Sequence, residues 1–456
     1  MKGSVYKMGR LFGTDGVRGI ANKELTPELA FKLGKAGAYV LSKENTRPVV
    51  LIGKDTRVSG DMLEDAISAG ILAMGGNVIK VGVLPTPAIA YLVKYYNADA
   101  GVVISASHNP YEYNGIKFFN GEGFKLDDDL EEQIEDIIIS SVDVNSHITG
   151  DKLGRCLDAD ESALEKYVEF LAGTIDCDIS DMKIAIDCAN GAAYKAAEMV
   201  YKKLGAEVYL RANEPDGINI NANCGSTHPE KLQELVKEVG ADIGLAYDGD
   251  ADRLIAVDEK GNVVDGDRTI SICAKFLKDE GRLVNDLVTV TVMSNLGFHK
   301  RAEELGIKVD VTAVGDRYVL ESMLKTGCVI GGEQSGHIIM LEHSTTGDGI
   351  IAALQLLMAY RRYGKKMSEL AEEMPLYPQV LINARVKNEN KHIYMEFPEI
   401  STAIAEAEEA MAGEGRVLIR TSGTEPLVRV MLEGSDTENI SALARDLADL
   451  IEKTLG

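Results

Sequence analysis

Cysteine is scarce in this chain of 456 residues and never clustered: Cys156, Cys177, Cys188, Cys224, Cys273 and Cys328 lie far apart, with no CxxC pair and no Cys/His grouping. That argues against structural zinc and against a disulfide framework, and the thiols read as reduced and mostly buried. Long hydrophobic runs are missing too. The longest, Ile350 to Tyr360, is too short to span a bilayer, and the opening MKGSVYKMGRLFG lacks the apolar core of a signal peptide. The expected compartment is the cytosol, with no membrane partner. Positive charge is in deficit, 48 Lys and Arg against 72 Asp and Glu, for a net charge of −24. A nucleic-acid binder needs a basic face, so that class is set aside. An anionic small molecule is not, but its site must be built from local cations and backbone amides. Tryptophan is absent and prolines number only 11, which exclude little by themselves.

What is present is ordinary globular material, 45% hydrophobic and 26% charged, in a chain long enough for two to four domains. Three stretches share one pattern: apolar strand, loop, helix, and a Gly-marked return to a second apolar strand. They are PVVLIGKDTR to GGNVIKVG, MKIAIDCANG to LGAEVYL, and DLVTVTVMSN to LGIKVDV. Such alternation predicts βαβ units and a mainly parallel sheet in each. Charged segments at Asp143–Asp160 and Val257–Asp267 read as separators, and MPLYPQ as a linker to a C-terminal module of strand, helix, two strands and helix. The expected domains are 1–154, 155–256, 257–368 and a smaller α+β unit at 369–456.

Four loops hold residues suited to chemistry. In Gly101–Pro110 (GVVISASHNP) an apolar strand runs into hydroxyls, a histidine and an Asn-Pro turn. Ligands of α/β sheets bind at the carboxyl ends of parallel strands. Ser107 beside His108 is either a nucleophile next to a proton carrier or no more than a polar turn. Lys117, in NGIKFF downstream, adds a cation or general acid/base. In Asp248–Arg253 (DGDADR), Asp248, Asp250 and Asp252 alternate with small residues and can converge on one hard cation, magnesium better than calcium. Two alternatives compete with that reading. An EF-hand would match Asp248, Asp250, Asp252, Ile255 and Glu259, but puts Arg253 where glycine is needed and strands where helices are needed. A phosphatase would use Asp248 itself as nucleophile. In Gly331–His337 (GGEQSGH), Glu333, Gln334, Ser335 and His337 suit sugar hydroxyls and an amine, unless this is a plain turn; the TTGDG beyond it reads as the cap of a helix starting near Ile350. In Arg420–Arg429, two arginines frame Ser422, Gly423 and Thr424, a set that suits a phosphate dianion, with a strand-connecting turn as the alternative.

Taken together and in this order, ASHNP, DGDADR, GEQSGH and RTSGTEP resemble the α-D-phosphohexomutase family over essentially the whole chain. The resemblance implies an α/β fold of three similar mixed domains and a smaller α+β C-terminal domain around a central cleft. It implies that Ser107 is a phosphoserine carrier and that its phosphoryl oxygen, with Asp248, Asp250 and Asp252, holds Mg²⁺. Lys117 and His108 become proton carriers, Arg18 and Arg253 phosphoryl clamps, Glu333, Gln334, Ser335 and His337 sugar contacts. Arg420, Ser422, Gly423, Thr424 and Arg429 would hold the phosphate that is not reacting. Gln334 and Arg317 (in VGDRYV) resemble the members that act on glucosamine phosphate, with glucose or mannose phosphate as the alternative. The implied partners are a phosphosugar and its 1,6-bisphosphate, handled by a monomer or homodimer.

Overall fold

All three repeats form the predicted strand–helix–strand units in the computed structural model, which describes residues 11–13, 15–41, 47–140, 144, 148–157, 162–411, 413–422 and 425–456. The first runs Val49–Lys54, Gly60–Ala73 and Asn77–Val83, the second Lys183–Asp187, Ala193–Lys203 and Glu207–Arg211. The third runs Leu287–Thr291, Leu296–Glu304 and Lys308–Thr312, and in each unit the two strands pair in parallel. Gly75, Gly205 and Gly306 all take positive φ where the helix hands over to the return strand, a conformation that favours glycine.

The sheets are mixed, each pairing parallel strands with an antiparallel return, and the repeat is longer than the sequence pattern suggests. In each domain a third strand pairs in parallel with the first: Ala100–Ile104, Ile243–Tyr247 and Ile330–Gly332. A fourth then returns antiparallel to the third: Tyr113–Asn120, Leu254–Asp258 and Ile338–Met340. The third strands are buried along their length, so they read as short apolar runs with no alternation. The loops holding Ser107, the three aspartates and Glu333–His337 each join the third strand to the fourth. One topological position therefore supplies all three loops.

The Val257–Asp267 segment is no separator. The fourth strand of the second sheet runs through Asp258 and pairs with Val263–Val264, so residue 256 lies inside a strand. The helix Gly266–Asp279 follows at once, capped by Asp265, which accepts from the Arg268 N–H at 3.0 Å. Residues 143, 145–147 and 158–160 lie outside the described residues; Arg155 lies along the first sheet, its carbonyl accepting from the Val78 N–H at 3.0 Å. One hydrophobic core runs through the first three sheets and includes Leu51, Ile89, Tyr167, Tyr247, Ile270 and Leu357, which welds those units together.

The last module is an antiparallel sheet in the order Gln379–Arg385, Leu427–Gly434, Gly415–Thr421, backed by helices Pro398–Ala410 and Thr437–Leu455 around a core of its own. Tyr377 of the linker exchanges two hydrogen bonds with Asn295, at 3.0 and 2.9 Å. The Arg416–Glu433 pair meets the third domain: Arg416 donates to the Ser294 carbonyl at 2.5 Å, and Glu433 accepts from the Leu296 N–H at 3.4 Å. Among the described residues no helix is long and apolar enough to cross a membrane.

Candidate active site

Ser107 stands where the buried strand Ala100–Ile104 gives out, and its backbone is left-handed, φ +51°. The side chain is buried, and its hydroxyl donates to Asp248 Oδ2 at 2.6 Å, across the interface of the first two domains. His108 Nδ1 lies 3.4 Å from the same hydroxyl. Burial first, then Arg253 and Arg18, push the His108 imidazole down to about 4, so its ring is neutral.

Asp248, Asp250 and Asp252 follow the buried strand Ile243–Tyr247, and their oxygens lie within 4.8 Å of one another. Ala251, at φ +58°, makes the tight turn that folds the alternate side chains together. Because the loop joins two strands, the EF-hand alternative falls. Three buried carboxylates so close repel one another, and burial with Asp252 and Asp250 raises the Asp248 pKa well above the ordinary range. Asp250 Oδ1 and Asp252 Oδ1 are buried without a hydrogen-bond partner. Buried, orphaned, all-oxygen ligands fit a hard divalent cation, which would satisfy both atoms and remove the repulsion.

The charges around this triad come from three domains. Lys117 is buried, its Nζ 3.0 Å from Asp250 Oδ2, 3.1 Å from Asp15 and 4.0 Å from Asp252. Burial works to lower its pKa, but Asp15, Asp250 and Asp252 prevail and raise it, so it stays an ammonium. Asp15 also binds Lys125 at 2.7 Å; Lys125 pairs with Asp316, and Asp316 lies 3.7 Å from His337. His337 closes the ring on Asp252 at 3.5 Å. Asp15, Lys125 and Asp316 were not legible as site residues: the bonds that join them, Lys125 to Asp15 and to Asp316, span 110 and 191 positions. A cavity of about 260 Å³ opens beside Asp15 and Lys117, walled by Phe118, Phe124, Lys125 and Arg317. Arg18 and Arg253 each keep a buried Nε–H without an acceptor, donors suited to an anion. Arg18 is otherwise paired with Asp15, and Arg253 sits 3.9 Å from Asp252.

The residues of the Gly331–His337 loop divide. Glu333 is half-buried, its Oε1 accepting from the Gly315 N–H at 3.1 Å, and the exposed Ser335 donates to its Oε2 at 3.3 Å. Gln334 turns its amide to Asp265, 3.4 Å away, at the cap of the next helix. His337 is buried between Asp252 and Asp316 and ties the Gly331–His337 loop to the Asp248–Arg253 loop, where Arg253 and His337 form a β-bridge. The helix after TTGDG does start as read, with Asp348 accepting from the Ile350 and Ile351 N–H groups at 3.0 Å. Arg317 is engaged by Asp128, Glu131 and Glu321 and latches the third domain to the first.

In the last domain Arg420 and Arg429 stand opposite each other across antiparallel strands. Burial first, and then Arg429, lower the Arg420 pKa. Arg429 lies 3.5 Å from Glu425. Ser422 is buried, its hydroxyl accepting from the Glu425 N–H at 3.2 Å; Gly423 and Thr424 lie outside the described residues. Lys391, which sequence reasoning missed, is buried with its Nζ donating to the Ser422 carbonyl at 2.8 Å. Among the described residues no hydrogen bond or ion pair joins this loop to the serine or metal loops, so it stands apart on the fourth domain.

The four domains match the four models of one family in order. Phosphoglucomutase/phosphomannomutase alpha/beta/alpha domains I, II and III match residues 9–143, 165–261 and 265–377, and the C-terminal domain matches 381–450. Fold and site thus define a phosphohexomutase, and the chain belongs to the phosphoglucomutase/phosphomannomutase family. Within it, the chain is 59% identical over 449 residues to the phosphoglucosamine mutase of Alkaliphilus oremlandii, covering 98% of this chain and 100% of the relative. It is 61% identical over 448 residues to that of Thermoanaerobacter pseudethanolicus, with 98% and 100% covered. The fold also matches Aspergillus fumigatus N-acetylphosphoglucosamine mutase in complex with GlcNAc-6P and magnesium, at a TM-score of 0.70 and 17% identity over 99% of this chain and 96% of that one.

Proposed function

We propose that the enzyme interconverts glucosamine 6-phosphate and glucosamine 1-phosphate in the cytosol, through phosphorylated Ser107 and a 1,6-bisphosphate. The observation that carries this reading is the 2.6 Å bond from the Ser107 hydroxyl to Asp248, at the head of the carboxylate triad. Asp248, Asp250, Asp252 and a phosphoserine oxygen are the ligands for Mg²⁺, which suits an all-oxygen set and is the ion in the Aspergillus fumigatus complex. Bound there, it supplies neutralisation of the charge that builds on the phosphoryl group and the serine oxygen.

In the first half-reaction the P–O bond to Ser107 Oγ breaks and a new P–O bond forms to the C1 hydroxyl of glucosamine 6-phosphate. The hydroxyl loses its proton and Ser107 regains one, with His108 the neighbouring imidazole and Lys117 the neighbouring ammonium. The bisphosphate then turns, and Ser107 Oγ attacks the phosphorus at C6. That releases glucosamine 1-phosphate and restores the phosphoserine. Arg18 and Arg253, with their unsatisfied N–H groups, clamp the moving phosphoryl. A serine ester suits a carrier that must outlast the turning step, and closure of the fourth domain excludes water meanwhile.

Glu333 is the acceptor we assign to the substrate's 2-ammonium group. A charge-assisted bond is worth about 1.5–3 kcal/mol. Glu333→Gln should therefore reduce the preference for glucosamine over glucose 6-phosphate, measured as a ratio of kcat/KM values, by roughly 10- to 150-fold. The wild-type comparison is the direct test of the substrate: glucosamine phosphate should give the highest kcat/KM, and a higher value for glucose or mannose phosphate would overturn the sugar while leaving the mutase. Gln334→Met should alter this ratio far less, since that amide is spent on Asp265.

Arg420 holds the distal phosphate in either orientation. Arg420→Ala should cost about 10- to 150-fold in kcat/KM by the same arithmetic. It should also release bisphosphate during turnover, detectable by chromatography of the reaction mixture. Normal kinetics without leakage would make this loop a simple turn.

A further inference from the structure

Two residues outside every loop named so far grip the backbone of the serine loop. Arg57 Nη2 donates to the Ser107 carbonyl at 3.1 Å and to the Asn109 carbonyl at 2.5 Å. Asn221 Nδ2 donates to the same two carbonyls, at 2.9 and 3.0 Å. Arg57 comes from the first domain and Asn221 from the second, and both are buried. Nothing in their spacing from Ser107, 50 and 114 residues, announces this.

Each donor is itself fixed. The Arg57 guanidinium is paired with Asp55, both side chains are wholly buried, and the Arg57 N–H donates to Asp55 Oδ1 at 2.9 Å. The Asp55 N–H donates to the Ile104 carbonyl at 3.0 Å, at the end of the strand that leads to Ser107. The Asn221 N–H donates to the Ala189 carbonyl at 2.9 Å. The two domains are stitched at the same place, where Thr56 donates to the Asn190 carbonyl at 2.5 Å and the Val58 N–H to the Gly217 carbonyl at 2.9 Å. The metal loop rests against the clamp as well. A Cβ on Gly249, between Asp248 and Asp250, would lie 2.5 Å from the Ser107 oxygen and 2.8 Å from Asn221 Nδ2.

We propose that Arg57 and Asn221 are positioning residues for phosphoryl transfer. A non-glycine residue at φ +51° relaxes unless its surroundings hold it, and two carbonyls aimed the same way need donors that their own loop does not supply. The paired donors meet both needs. Because one belongs to the serine domain and the other to the metal domain, they also fix how far Ser107 Oγ stands from the aspartates. Neither touches the reacting atoms. The inference rests on Ser107 being the carrier.

The test uses the full-length enzyme with Mg²⁺ and glucose 1,6-bisphosphate carrying labelled phosphate. Misplacing a reacting group by about 1 Å is worth roughly 100-fold in rate. Asn221→Ala should lower kcat by about 10- to 100-fold at a KM within about threefold of wild type, with labelling of Ser107 slowed by the same factor. Gly249→Ala, which pushes on the Ser107 carbonyl, should show the same kcat-dominated loss. Arg57→Lys keeps the charge for Asp55 but not the fork, and should recover part of what Arg57→Met loses. The clamp is refuted if Asn221→Ala labels and turns over as fast as wild type. It is equally refuted if lost activity only tracks the fraction of molecules that bind label, the remainder having normal kcat. Failure of the underlying carrier reading looks different, since wild-type Ser107 would then take up no label.

Discussion

Ser107→Ala should be folded and inactive, with turnover reduced on the order of 10⁶-fold, the scale seen when a covalent carrier is deleted. The residue makes one side-chain bond of consequence, to Asp248, and a typical hydrogen bond contributes only about 0.5–1.5 kcal/mol. The backbone of the loop is held by Arg57 and Asn221 through carbonyls that alanine also has. Circular dichroism and thermal unfolding should therefore stay close to wild type while mutase activity disappears. Substrate should still bind, because Arg420, Glu333 and the fourth-domain loop are untouched. A variant retaining more than about a hundredth of wild-type kcat would be incompatible with a serine carrier, given the scale expected for such a deletion.

The aspartate triad gives the second large effect, and Asp250 separates catalysis from stability. Its Oδ2 accepts from Thr86 at 2.7 Å and from Lys117 at 3.0 Å, while Oδ1 has no partner. Asp250→Asn can keep an oxygen toward Thr86 and Lys117 but turns an amide N–H toward the cation. Loss of such an electrostatic group is worth about 10²–10³ in kcat, and magnesium binding by calorimetry should weaken in parallel. Asp250→Ala also strips Lys117 of its nearest carboxylate. Asp15 still lies 3.1 Å from that ammonium, and removing one of three mutually repelling carboxylates offsets part of the loss, so this variant should lose activity with little change in stability. Treating wild type with EDTA should abolish turnover, and Mg²⁺ should restore it. An unchanged rate after chelation would remove the metal from the mechanism.

Much of this was legible because it was local. Each strand–helix–strand unit carries its own period and its own glycine, so Val49–Val83, Lys183–Arg211 and Leu287–Thr312 could be read one window at a time. The serine and aspartate loops were legible for the same reason, as polar residues set abruptly after apolar runs. What failed was contact at a distance. The antiparallel fourth strands were not part of the repeat read from the sequence, and Val257–Asp267 looked like a separator because its charges mask strand pairing. His337 and Gln334 sit in a polar loop whose composition gives no direction. One side chain folds back onto Asp252 and the other onto Asp265. Arg317 is drawn off by carboxylates of the helix Asp128–Ile139, almost two hundred residues upstream. The clamp on the Ser107 carbonyl was invisible, since backbone acceptors leave no mark in a sequence.

The location of the covalent phosphate tests the central claim most directly. Enzyme incubated with labelled hexose 1,6-bisphosphate, quenched in acid and digested, should yield one labelled peptide containing Ser107, with the label stable to hydroxylamine as a serine ester is. Label on a peptide containing Asp248, released by hydroxylamine as an acyl phosphate would be, would contradict the mechanism and put an aspartyl phosphatase-type nucleophile in its place.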